Sequence, residues 1–167
     1  MAKPFQITKA HANAPDVPGE RLTTVRVMIE VPRGSHRKRE WRAEPNRVGG
    51  RLVTEYLSPV PSPFNYGCIL GEQGADGDPP DAVVLGPRCP AGVEVLAVVR
   101  GVVHFIDAGL QDPKLICSGT TPTKAERRAV EQFFRRYAVA RRLLNAMQGQ
   151  AGETAFVRVE WYGDLPV

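Results

Sequence analysis

Hydrophobic and polar residues alternate through 24–31 (TVRVMIEV), a β-branched run that halts at Pro32, and this pattern predicts a strand with Glu30 near its end. Residues 37–42 alternate poorly but can pair back as a hairpin with 51–57, across the turn that Gly49 and Gly50 provide. The prolines within 58–64 exclude regular structure there. The apolar run 82–85 follows turn residues and reads as a short buried strand. Residues 93–107 (VEVLAVVRGVVHFID) are too long for one flat strand, so Gly101 is expected to mark a bulge or bend. A turn around Gly109, flanked by Asp107 and Asp112, leads to a strand over 114–117 that would bring both carboxylates and Lys114 together. Thr123 and Glu126 form a capping box that opens a helix reaching Met147. Val130, Phe133, Phe134, Tyr137, Ala140, Leu144 and Met147 recur at helical spacing as its core face. Arg127, Arg128, Arg135, Arg136, Arg141 and Arg142 fall mainly off that stripe and are expected in solvent. A last strand over 155–161 completes the set. Short strands at regular spacing plus one long helix predict a mainly β fold with α, a small barrel with the helix packed on it.

A chain of 167 residues suits one domain with its own core. Residues 1–167 are therefore read as a single domain, in which 1–20, polar and proline-rich apart from a possible short strand at 5–8, serve as an arm. Cys68, Cys89 and Cys117 are odd in number and lack C-x-x-C spacing, so neither a disulfide framework nor a zinc site is indicated. No apolar run is long enough for a signal peptide or a membrane span, and a cytoplasmic protein without membrane contact is expected. The net charge is +4, but acids gather at 76–81 and bases at 33–42 and along the late helix. Segregation of this kind suits an anionic ligand bridged by cations. The run RGSHRKREWR, with Trp41 inside it, could equally be a nucleic-acid footprint, and a solvated basic loop is the commoner meaning of such a run.

The chemistry concentrates in residues 74–85, GADGDPPDAVVL, where Asp76, Asp78 and Asp81 stand at i, i+2 and i+5. Carboxylates this close repel one another and are held ionised at neutral pH most easily by a hard cation. Pro79 and Pro80 stiffen the loop and lower the entropy lost on ordering it. Asp, Gly and Pro are also the ordinary residues of a surface turn. An EF-hand loop, counted from Asp76, would need glycine and glutamate where this chain has Asp81 and Pro87, which rejects that reading. Elsewhere the chain offers Glu30, Asp107 and Asp112 as acids and Lys38, Lys114, Tyr66 and Tyr137 as donors.

Assembled in order, these residues resemble the soluble Mg-dependent inorganic pyrophosphatases of the OB-barrel type, over roughly 24–162. The most specific stretch is D-G-D-P-x-D at Asp76 to Asp81. Glu30-x-Pro32 ahead of Lys38-x-Glu40, Asn65-Tyr66-Gly67, and Asp107, Asp112 and Lys114 in D-x4-D-x-K support it. The resemblance implies an OB-like five-stranded barrel and hydrolysis of pyrophosphate to two phosphates. It implies several Mg2+ ions, with Mn2+ as the alternative, and a homo-oligomer, hexameric or smaller. Asp76, Asp81, Asp107 and Asp112 would be direct metal ligands, Glu30 and Glu40 would act partly through water, and Asp78 would be the general base. Lys38, Tyr66 and Lys114 would hold phosphate oxygens, with Tyr137 joining them on the leaving phosphate. Such an arrangement answers the chemistry, because a phosphoanhydride is highly anionic and two Mg ions roughly 3.5 to 4 Å apart can activate a water and neutralise the attacked phosphorus. A groove lined by acids also argues against a nucleic-acid module.

The chain departs from the family pattern in ways that bear on one phosphate subsite. Thr54 stands where arginine is usual, Ala138 where lysine follows the tyrosine, Ser62 where tyrosine is usual, and Pro80 where an aliphatic residue is usual. Two expectations follow: Arg51 or Arg136 compensates, or the activity is weak or redirected to another phosphoanhydride. In the second case space left at Thr54 and Ala138 would admit a bulkier leaving group, and Thr54→Arg with Ala138→Lys would raise activity on pyrophosphate.

Overall fold

The structure, a computed structural model, describes residues 22–44, 49–74 and 76–163. The arm at 1–20 and its possible strand at 5–8 lie outside the described residues. Nine strands and one helix follow the order β1 (Thr24–Val31), β2 (Arg37–Ala43), β3 (Gly50–Leu57), β4 (Asn65–Ile69), β5 (Asp81–Val84), β6 (Glu94–Asp107), β7 (Leu110–Gln111), β8 (Lys114–Ser118), α1 (Lys124–Met147) and β9 (Ala155–Trp161) among the described residues. Strands β1, β4, β5, β8 and β6 are neighbours in that order, and β6 pairs again with β1, so five strands close into an OB-like barrel. The expected barrel with a packed helix is thus what forms. Strands β2 and β3 make a separate two-stranded hairpin, while β9 adds to the far part of β6.

Alternation along the strands divides the apolar residues between two cores. Val27, Ile29, Ala82, Val84, Leu115 and Cys117 point into the barrel. Their neighbours Val83, Val103, Phe105 and Ile116 point outward and are covered by Val130, Phe134 and Ala138 of α1. By the same period of two, Asp81 shares the outer face with Val83, and Lys114 shares it with Ile116. The acids and lysines therefore stand on the outer wall beside the helix rather than inside the barrel.

Local chemistry explains the bends. The β1–β4 ladder shifts between Ile29 and Val31, so Glu30 is a bulge residue whose side chain is re-aimed. Gly67 lies where β4 crosses β1 most closely, and a Cβ there would stand 1.8 Å from the Met28 carbonyl oxygen, which accounts for glycine after Asn65 and Tyr66. The register of β6 against β8 shifts between Val99 and Gly101, as its length demanded. Asn65 is fully buried and ties the β1–β2 and β5–β6 loops together: its Oδ1 accepts from the Arg33 and Cys89 N–H groups, and its Nδ2 donates to the Pro87 carbonyl at 2.8 Å.

The capping box at α1 is present, with the Glu126 N–H donating to Thr123 Oγ1 and the Thr123 N–H donating to Glu126 Oε2 at 2.8 Å. The expected core face holds through Val130, Phe133, Phe134 and Tyr137 but fails after it. Ala140 and Leu144 are exposed and Met147 is 86% exposed, while Ala138 and Asn145 are the buried residues of that half. The last two turns of α1 meet polar groups beyond the barrel wall, so the face that turns inward there is not the apolar one.

Candidate active site

Parallel pairing of β5 with β8 sets Asp81 directly opposite Lys114, at the start of both strands. Lys114 Nζ donates to Asp81 Oδ2 and to Asp112 Oδ1, each at 2.5 Å. Burial works against a charge on Lys114, which is 5% exposed, but the two carboxylates override it and raise its pKa above the ordinary lysine value. Tyr66, on the neighbouring strand β4, has its phenol pushed well up by burial and by the charge of Asp81, to which it donates a hydrogen bond, so it stays protonated at any physiological pH. Lys38 reaches in from β2 and lies 5.1 Å from the centroid of the Tyr66 ring. Burial lowers its pKa, with Asp81 opposing and Lys114 reinforcing the shift.

Glu30 completes this group from β1. It is 5% exposed and its Oε1 accepts the Trp41 N–H at 2.7 Å, which ties the β2–β3 hairpin to the barrel. Burial pushes its carboxyl up to about 7, the Trp41 N–H pulls back, and the nearby charge of Asp81 adds to the rise. Glu30, Lys38, Tyr66, Asp81, Asp112 and Lys114 are thus brought together as the sequence suggested.

Four other expected residues behave differently. Asp76 and Asp78 are exposed in the loop before β5, where Asp76 Oδ1 accepts the Asp78 N–H at 3.1 Å and Gly77 takes a φ of 90°. Glu40 is exposed on β2 and accepts from Arg42 Nε at 2.8 Å. Asp107 is turned away from Asp112 and Lys114 toward α1. Its Oδ2 accepts from Arg141 Nε at 2.8 Å, and its Oδ1 accepts from Asn145 Nδ2 at 2.7 Å and from the Thr154 hydroxyl at 3.2 Å. Burial would raise the Asp107 pKa, yet the bonds from Asn145 and Arg141 outweigh it and hold the carboxyl below its ordinary value.

The side chains at the departures answer the question of compensation. Ala138 is 1% exposed within the outer core, so no space stands open there, contrary to expectation. Ser62 bonds the Phe64 carbonyl and Thr54 is exposed on β3. Arg51 and Arg136 are both exposed. Arg141, expected in solvent, is instead the arginine drawn into the site, within electrostatic reach of Tyr137 and Tyr56. Its signal was available: Tyr137, Arg141 and Asn145 stand at four-residue spacing on one helix face. Tyr56 had only its place opposite Lys38 in the hairpin, which no sequence pattern shows.

The donor set can be tested against a hard cation. Among the described residues no three Asp, Glu, His or Cys side chains converge closely enough to hold an ion. Asp81 and Asp112 nevertheless set hard oxygen donors around the buried Lys114 ammonium, and Glu30 lies within electrostatic reach of Asp81, a donor chemistry that suits a hard cation such as Mg2+. Asp107, already engaged by three donors, does not fit.

A closed OB-like barrel whose outer wall interleaves carboxylates with the buried Lys114 and the half-buried Lys38 defines the class of protein to be compared. The chain belongs to the inorganic pyrophosphatase family, whose profile matches residues 27–157. It is 38% identical over 107 residues to an inorganic pyrophosphatase of Gluconobacter oxydans, covering 60% of this chain and 58% of that relative, so the match spans less than two thirds of the relative's length. An inorganic pyrophosphatase structure from Thermus thermophilus superposes with a TM-score of 0.66 at 24% identity, covering 89% of this chain and 86% of that one. One from Neisseria gonorrhoeae gives 0.65 at 23%, over 83% and 82%. Both likenesses speak to the fold. No helix among the described residues is long and apolar enough to cross a membrane.

Proposed function

We propose that this chain hydrolyses inorganic pyrophosphate to two phosphates with a bound divalent cation, Mg2+ in the cell and Mn2+ as a substitute, as a cytoplasmic homo-oligomer. The observation that carries the reading is Lys114, buried and kept cationic between Asp81 and Asp112 beside Tyr66 and Lys38. A carboxylate pair alone would be a plain metal site and a lysine pair alone a plain anion site. Their interleaving suits a phosphoanhydride held through cations.

Glu30, Asp81 and Asp112 are the ligands the present geometry favours, with Asp76 and Glu40 joining from flanking positions. A cation held there neutralises phosphate charge and makes water more acidic. Lys114 and Lys38 bind non-bridging oxygens and stabilise the charge that grows on them. Tyr66, kept protonated, donates to a further phosphate oxygen. Tyr137 faces the leaving phosphate, and burial keeps its phenol protonated too. Asp78, exposed at the loop apex, takes the proton of the attacking water as its oxygen bonds to phosphorus. The bond from that phosphorus to the bridging oxygen breaks, and the second phosphate leaves with the electron pair.

Colorimetric phosphate release from pyrophosphate with Mg2+ tests the reading. Lys114→Met is expected to lower kcat/KM by about 10²- to 10³-fold, the cost of removing one positioned electrostatic donor. No phosphate release by the natural chain, or full activity in that variant, would overturn it. Exposed Thr54 favours a second reading, a longer phosphoanhydride as preferred substrate, which tripolyphosphate in the same assay decides.

A further inference from the structure

Asp107 is held unlike the other acids of the site. Its side chain is 17% exposed, against 35% for Asp81 and 38% for Asp112. The two partners on its Oδ1 are themselves buried, Asn145 at 4% and Thr154 at 3% exposure. Thr154 Oγ1 also accepts from the Ala108 N–H at 3.0 Å and from Asn145 Nδ2 at 2.9 Å, closing a network over the β6–β7 turn. Ala108 itself takes a φ of 48°, a left-handed conformation that an alanine adopts only when its surroundings enforce it. Moving the carboxylate to a metal would break a charge-assisted bond to Arg141 and leave buried polar groups unpaired. Asn145 Oδ1 has no partner among the described residues, so what orients this amide is the pair of bonds that its Nδ2 donates to Asp107 Oδ1 and Thr154 Oγ1.

We propose that Asp107 is not a metal ligand in this chain, and that Arg141 supplies at that corner of the site a fixed positive charge in place of an exchangeable ion. The inference rests on the hydrolase reading. Two consecutive turns of α1 deliver the device: Arg141 neutralises the carboxylate, and Asn145, four residues on, fixes its second oxygen and docks the helix end over the turn. Arg141 is a positioning residue here, acting through Asp107 on the charge of the site.

The test counts Mn2+ bound to the full chain by the electron paramagnetic resonance signal of free Mn2+, with and without methylenediphosphonate. Asp107→Asn should keep the natural number of ions, with affinity within about two-fold, whereas Asp112→Asn should lose an ion or weaken binding by about ten-fold or more. Arg141→Met should tighten Mn2+ binding by about ten-fold, because it frees a carboxylate. Loss of an ion in Asp107→Asn, in either condition, overturns the proposal. Should Asp107→Asn fail to fold by circular dichroism, unchanged Mn2+ binding in Arg141→Met overturns it instead. A natural chain that binds no Mn2+ sinks the hydrolase reading itself and this inference with it. Loss of one ion in Asp107→Asn, with phosphate release intact in the natural chain, overturns this inference and leaves the hydrolase reading standing.

Discussion

Asp78 and Glu30 illustrate how differently two carboxylates of one site are placed. Asp78 is exposed in the loop before β5, and in the proposed mechanism it meets the attacking water. Asp78→Asn is expected to leave Mn2+ affinity nearly unchanged while lowering kcat by about 10²- to 10⁴-fold, and full activity would remove Asp78 from the mechanism. Glu30 is buried, and its pKa of about 7 lies above the ordinary 4.5. Between those values the folded, metal-free chain keeps a proton that the unfolded chain releases, so stability falls as pH rises through this window, by about 3 kcal/mol in all. Glu30→Gln should flatten that slope. Urea titrations with chelator at pH 5 and pH 8 check it: the variant should gain on the natural chain only at pH 8, and equal shifts at both would refute the burial account.

At the scale of elements, the sequence was legible where a local rule settles the outcome. The capping box placed the start of α1, the period of two placed β1 and β9, and the length of β6 required the bend next to Gly101. Strand β4 was not legible as a strand, because Asn65 and Gly67 are poor strand formers chosen for a buried tie and a close crossing that only the tertiary fold creates. Of the candidate site, the sequence pointed to Glu30, Asp81, Asp112, Lys38 and Lys114, which the fold brings together, but also to Asp76, Asp78 and Glu40, which stand exposed outside that group. It could not reveal the direction Asp107 faces, which depends on how far α1 continues past the barrel. The same limit misjudged Ala138. With its Cβ in the outer core, Ala138→Lys would bury an ammonium at a cost of about 3 kcal/mol or more. The variant is expected to melt at least about 6 °C lower and to gain no activity, with or without Thr54→Arg. A stable, faster double variant would show that the helix can shift to admit the lysine.

At the scale of the whole molecule, closure of the five-stranded barrel leaves no free edge among those strands, and the basic run of β2 lies in a hairpin whose Arg42 is paired with Glu40 and Glu55. That compensation argues against a nucleic-acid groove on this face. Because Asp81 and Lys114 are opposite residues of the β5–β8 ladder, the chemistry is written into strand register itself. Slippage by even one residue would turn one partner into the barrel and undo both the core and the ion pair at once. Heat should therefore offer no intermediate that is folded yet inactive. Residual activity after brief heating and the far-UV dichroism measured at the same temperatures are expected to decline together, and activity lost well below the melting transition would mean that the site can come apart while the barrel stands.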